Sequence, residues 1–132
     1  MSTSTKTRYN WAPVIESIVR IVQECNITII SADNGEFETK VPEGASPEFV
    51  RRLMVYNLNA CDEGRLYVKT PGCDRLRWLF IVLGNEPEET ICDYIDCPEI
   101  DLAFSTFTQE WEGKKTPTMP YDAPYETEEP KQ

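Results

Sequence analysis

Apolar residues recur along the chain with two distinct periods. Ile15, Ile18, Val19 and Val22 stand at i, i+3, i+4 and i+7, one stripe of a helix. Trp11-Ala12-Pro13 makes its entry, with proline at an early position where its missing N–H is no loss, and the helix runs to about Cys25, where Asn26 is a fitting stop. The period then changes. Residues 27–32 and 36–41 flank Asn34-Gly35, the dipeptide that best supplies the two positive φ angles of a tight hairpin. With Asn34-Gly35 as a two-residue loop, Ala32 faces Phe37, Ile30 faces Thr39 and Thr28 faces Val41, leaving Glu38 and Lys40 on the other side.

Ser46-Pro47-Glu48 is a second cap-and-proline start, leading into a helix through Phe49, Val50, Leu53, Met54 and Leu58. Residues 65–70 and 76–84 read as strands joined by a turn at Pro71-Gly72. Beyond Arg77 the second of these is apolar on both sides, which predicts a strand covered on both faces, or on one face and part of the other. Residues 90–95 fit a strand better than a helix, although the acids that follow Asn85 would also open a helix. Pro98 starts a last helix, whose stripe is Ile100, Ala103, Phe104, Phe107 and Trp111 and whose stop is Gly113.

The pattern predicts an α+β domain over residues 11–113, a largely antiparallel sheet of four or five strands with three helices packed on it. Residues 1–10 are polar and are expected to be disordered. Residues 114–132 hold four prolines and little to bury, and read as a Pro-rich disordered tail. Pro120-Tyr121 and Pro124-Tyr125 repeat at a spacing of four, so Tyr121 and Tyr125 form a candidate linear motif for a partner groove.

Charge changes this picture more than any motif does. The 132 residues carry 23 acids and 13 bases, a formal charge of -10, and contain no histidine. Residues 1–85 are neutral overall, whereas residues 86–112 hold nine acids and no base. Solubility and the electrostatic preference for acids at a helix N-terminus account for part of that. The functional reading is an acidic surface that meets a basic one, with Glu88, Glu89, Asp93, Asp96, Glu99, Asp101, Glu110 and Glu112 as its contact residues. A second candidate is a basic-aromatic patch from Arg65, Tyr67 and Lys69 on one strand with Arg75 and Arg77 on its neighbour. It would serve self-association more economically than nucleic-acid binding, which a charge of -10 opposes.

Without histidine, the chain itself cannot supply Ser-His-Asp or Cys-His nucleophiles, His-ligated zinc or an imidazole proton shuttle. The five cysteines, Cys25, Cys61, Cys73, Cys92 and Cys97, form no C-x-x-C pair and read as free thiols. A zinc site from the last four lacks the usual close pairing of ligands. Asp93, Asp96, Glu99 and Asp101 lack calcium-loop spacing, and no metal or cofactor is expected. Of the thiols, only Cys73, near Arg75, sits in a field that would activate it.

No apolar run reaches the ~18 residues of a membrane span, and the start lacks the apolar stretch of a secretory signal, so a cytoplasmic location with no membrane contact is expected. Compact acidic chains without cofactor motifs often serve as inhibitors or accessory regulators, including ones carried by phages and mobile elements. The expectation is therefore a non-enzymatic interaction protein that modulates or inhibits a partner with a basic surface. A nucleic-acid mimic that occupies a DNA- or RNA-binding groove is one alternative. A small enzyme using a cysteine, or a carboxylate pair such as Asp93 with Glu88 or Asp96, is the other.

Overall fold

A computed structural model of the chain describes residues 11–114 and 128–132. Its elements are α1 (Ala12–Glu24), β1 (Thr28–Asp33), β2 (Glu38–Lys40), α2 (Pro47–Leu58), β3 (Glu63–Lys69), β4 (Arg77–Val82), β5 (Ile91–Tyr94) and α3 (Pro98–Trp111). A 3₁₀ turn at Pro87–Glu89 precedes β5. The strands form one antiparallel sheet in the order β2-β1-β3-β4-β5. This is the α+β class that the periodicity predicts. The Tyr121/Tyr125 motif and most of the expected tail lie outside the described residues.

Each helix is bounded by chemistry visible in its own sequence. In α1 the left-handed φ of 64° at Asn26 lets the Asn26 N–H reach Gln23 O and the Ile27 N–H reach Val22 O. That is how a helix end satisfies its last carbonyls. Ser46 caps α2 by accepting the Phe49 N–H at 3.1 Å, and Pro47 and Glu48 occupy the first turn. α3 opens with Pro98, Glu99 and Asp101 in its first turn, and Gly113 follows its end at φ 77°.

α1 packs against both α2 and α3 and against β1. Its Val14, Ile15, Ile18, Val19, Ile21 and Val22 are all buried. They meet Leu53, Met54 and Leu58 of α2, Leu66 and Val68 of β3, Leu79 and Ile81 of β4, and Ile100 and Phe107 of α3 in one continuous core. Burying an aliphatic side chain of this size contributes roughly 1.5–3 kcal/mol, so this cluster dominates the stability of the fold. All of these strand residues lie on one side of the sheet.

The β1–β2 hairpin departs from its predicted register. Asp33 pairs with Glu38 and Ala32 with Thr39, so the loop holds four residues rather than two. Asn34 closes it with its side chain, Oδ1 accepting the N–H groups of Glu36 (2.8 Å) and Phe37 (3.0 Å). Its Nδ2 donates to the backbone oxygen of Asn57 at 2.8 Å, which draws Asn34 inward to 5 % exposure. Only Gly35 takes a positive φ in this loop. The slip of two residues keeps Ala32 and Thr39 inward and Glu38 and Lys40 outward, but an irregularity between Ile29 and Ser31 turns Ile29 inward and leaves Thr28 exposed and Ile30 half-buried, against the predicted face.

Two further sequence questions are settled by the sheet. Residues 87–94 divide into the 3₁₀ turn and the strand β5, with Thr90 Oγ1 donating to Pro87 O at the junction. β4 lies one strand in from the edge, with Leu79 and Ile81 buried against the helices and Trp78, Phe80 and Val82 half-buried on the opposite side.

Candidate functional site

Two surfaces collect the candidate residues. The first follows the chain from the 3₁₀ turn through β5 into α3. Glu88 and Glu89 lie on the turn and Asp93 on β5, while Asp96 lies in the connection, Glu99 and Asp101 in the first turn of α3, and Glu110 and Glu112 at its far end. Proline at the start of both the turn and the helix, and contact between these two elements, hold Glu88, Glu89 and the acids of α3 together as an acidic ridge, while Asp93, opposite Phe80, turns to the sheet face away from the helices.

At its centre the Tyr94 hydroxyl donates to Asp101 Oδ1 at 2.9 Å, and the Tyr94 ring lies 5.2 Å from that of Phe104. Burial, then the hydrogen bond to Asp101 and the negative charges around it, push the Tyr94 hydroxyl up to about 12. Asp96 shares a side-chain hydrogen bond with Asp101, which raises the Asp96 carboxyl above its ordinary value. Asp96 and Asp101 are thus a pair of carboxylates that act on each other.

Glu110 stands apart from this group. Its oxygens accept from Arg20 Nη2 at 2.8 and 2.9 Å and from Ser17 Oγ at 3.0 Å, and the Arg20 hydrogen bond holds its carboxyl below the usual range. It is a fastening between α1 and α3. The other seven predicted contact residues make no salt bridge to any described residue.

The second surface is the side of the sheet away from the helices. Arg65, Tyr67 and Lys69 alternate outward along β3, as their spacing predicts. Arg75 lies exposed in the β3–β4 connection. Arg77 does not join them: it pairs with Val68, whose side chain points to the helices, so strand alternation turns Arg77 to that side. There its Nη2 donates to Cys73 Sγ at 3.4 Å, with Cys97 and Glu99 close enough to act on its charge.

The neighbours of Tyr67 and Arg65 are instead Trp78 and Phe80, which a reading of β4 as a uniform apolar run passes over. The Arg65 guanidinium stands 5.2 Å from the Trp78 ring centre and 5.4 Å from that of Phe80. β4 is apolar at every position from Trp78 to Val82, so no alternation in the sequence assigns the two rings to a face; the pairing with Arg65 and Tyr67 does.

Among the described residues no three His, Cys, Asp or Glu side chains converge to hold a metal ion. Cys73 has an activating environment: hydrogen bonds from the Arg75 backbone N–H and the Arg77 side chain lower its pKa. Burial pushes the Cys25 thiol up.

Two depressions lie elsewhere. One, of about 140 Å³, is lined by Asp33, Asn34, Glu63, Arg65, Tyr67 and Phe80, among others, at one end of the open sheet face. The other, a groove of about 410 Å³, runs between the end of α1, β1 and the start of α2, lined chiefly by Ile27, Ile30, Val41, Pro42 and Val50. Neither contains Cys73 or the Asp96–Asp101 pair. No helix among the described residues is long and apolar enough to cross a membrane.

Comparison of the chain with known proteins found no matching family model, no matching curated protein and no matching solved structure.

Proposed function

We propose that this chain is a non-enzymatic interaction protein whose acidic ridge docks on a basic surface of a partner protein and modulates or blocks it. The observation that carries this reading is the density of carboxylates without a salt bridge. Glu88, Glu89, Asp93, Asp96, Glu99, Asp101 and Glu112 make no salt bridge among the described residues, and Asp96 and Asp101 act on each other. Like charges held at close range oppose folding, so solubility alone would be served better by spreading them. Opposed to a basic partner, the same array speeds encounter and selects against acidic competitors.

The experiment is a pull-down from host lysate at low and high salt. It compares the full chain with a variant carrying Glu89→Gln, Glu99→Gln, Asp101→Asn and Glu112→Gln. Glu110 is left intact because it fastens two helices. Salt-sensitive capture of one basic protein by the native chain, lost in the folded variant, supports the reading. Capture of the same protein by the variant at full strength refutes it.

A further inference from the structure

The open face of the sheet carries charge in a self-complementary order along its strands. Across the sheet, Tyr67 pairs with Trp78, Arg65 with Phe80 and Glu63 with Val82. Within β2, Glu38 and Lys40 point outward on either side of Thr39, which pairs with Ala32, itself opposite Leu66. Relative to the row through Thr39, Ala32, Leu66 and Leu79, one end of the face holds Glu38, Glu63, Asp33 and Asp93, and the other holds Lys40 and Lys69. Arg65 and Phe80 stand in the same cross-strand row as Glu38, Asp33 and Asp93, so that end is acidic on balance, and Tyr67 and Trp78 stand in the row of Lys40. Leu76, one residue before β4 at the basic end, is 48 % exposed.

We propose that this face is a self-association surface, on which two copies of the chain pack sheet to sheet about a twofold axis crossing the strands above the Leu66–Leu79 row. That axis reverses strand direction, so each acidic end lies over a basic end. Glu38 then meets Lys40 of the second copy, and Glu63 meets Lys69. Phe80 meets Trp78, Val82 meets Leu76, and Arg65 meets Tyr67. A twofold interface needs such a patch, one that complements itself.

An axis along the strands would set acid on acid, and the charge order excludes it. Strands of six, three, seven, six and four residues about 4.8 Å apart give a flat footprint of roughly 420 Å². Side-chain relief carries this toward the ~800 Å² that each partner buries in a standard interface. Single-stranded nucleic acid is the poorer occupant, because Arg65 already covers Trp78 and Phe80 and four acids, Asp33, Glu38, Glu63 and Asp93, stand on this face. In the pair β5 lies over β5, so both acidic ridges emerge at the same edge.

Sedimentation velocity of the full chain from low to high micromolar concentration tests the surface. The native chain is expected to dimerise. Lys40→Glu with Lys69→Glu makes the face predominantly acidic, and Glu38→Lys with Glu63→Lys makes it predominantly basic. Each variant alone should dimerise at least about tenfold more weakly, and an equimolar mixture should recover the dimer. Circular dichroism checks that both fold, and Lys69→Gln, a milder change, takes the place of the acidic variant if that one does not. A monomeric native chain, variants that dimerise undiminished, or a mixture that stays monomeric would each overturn the proposal. None of the four positions belongs to the acidic ridge, so this result is independent of the pull-down.

Discussion

Arg20 donates through Nη2 to both carboxylate oxygens of Glu110, at 2.8 and 2.9 Å, and so joins α1 to α3 across the helix layer. Both side chains are about a third exposed, at 38 % and 31 %, so solvent screening keeps the pair modest. Glu110→Gln is expected to lower unfolding free energy by about 1 kcal/mol at neutral pH. The folded-state pKa of Glu110 is lowered, so its contribution is present above the ordinary value of 4.5 and is lost as pH falls through the folded-state value. Denaturant titrations should therefore separate native and variant chains at pH 7 and bring them together in strong acid.

Asp96 has the opposite sign. Its carboxyl is raised by Asp101, so folding is disfavoured by ionising it and the cost disappears as pH falls through the raised value. Asp96→Asn keeps a side chain able to donate to Asp101 and removes one negative charge. The variant should melt higher than the native chain at pH 7, with the gain shrinking as pH falls through the carboxylate range. A thermal melt that shows no gain at pH 7 would mean the pair is already relaxed by solvent.

The helices and their limits were legible because their signals are local: Pro13, Ser46 with Pro47, Asn26 and Gly113 each act within one turn. What the sequence concealed depends on residues distant along the chain. The hairpin register is set by Asn57, 23 residues from Asn34, and local preference for a two-residue Asn-Gly loop yields to that contact. The fate of Glu110 is set by Arg20, 90 residues away. The side that Arg77 takes, and the exposure of Trp78 and Phe80 beside Arg65, depend on the β3–β4 register, which the uniformly apolar β4 does not reveal. The acidic segment was found by counting charge, but only folding shows which carboxylates are used internally.

Asn57 is fully buried on α2, and its Nδ2 donates to Phe37 O at 3.1 Å and to Thr39 Oγ1 at 3.0 Å. Asn57→Ala strips both acceptors of this donor and leaves a small cavity, so a loss of about 3 kcal/mol is expected. Thr39→Val removes one acceptor while Asn57 keeps the Phe37 carbonyl, and should cost about 1 kcal/mol. In a double-mutant cycle the two changes should fall short of additivity, because they share one hydrogen bond. Additive losses would show that the Asn57–Thr39 contact contributes nothing.

Cys73 tests whether its arginine neighbours activate a thiol in solution. The Arg75 N–H and Arg77 Nη2 both stabilise the thiolate, so more of Cys73 is ionised near neutral pH than in an ordinary cysteine. Timed alkylation with iodoacetamide, read peptide by peptide, should show Cys73 reacting faster than Cys25, whose thiol burial pushes up. Arg77→Leu should slow Cys73 at pH 7, and exposed Cys92 on β5 serves as the internal reference. Well above the thiol pKa every cysteine is thiolate, so the native and variant rates should then converge. A slowing that persists undiminished at high pH would mean that Arg77 governs access to the sulfur rather than its ionisation.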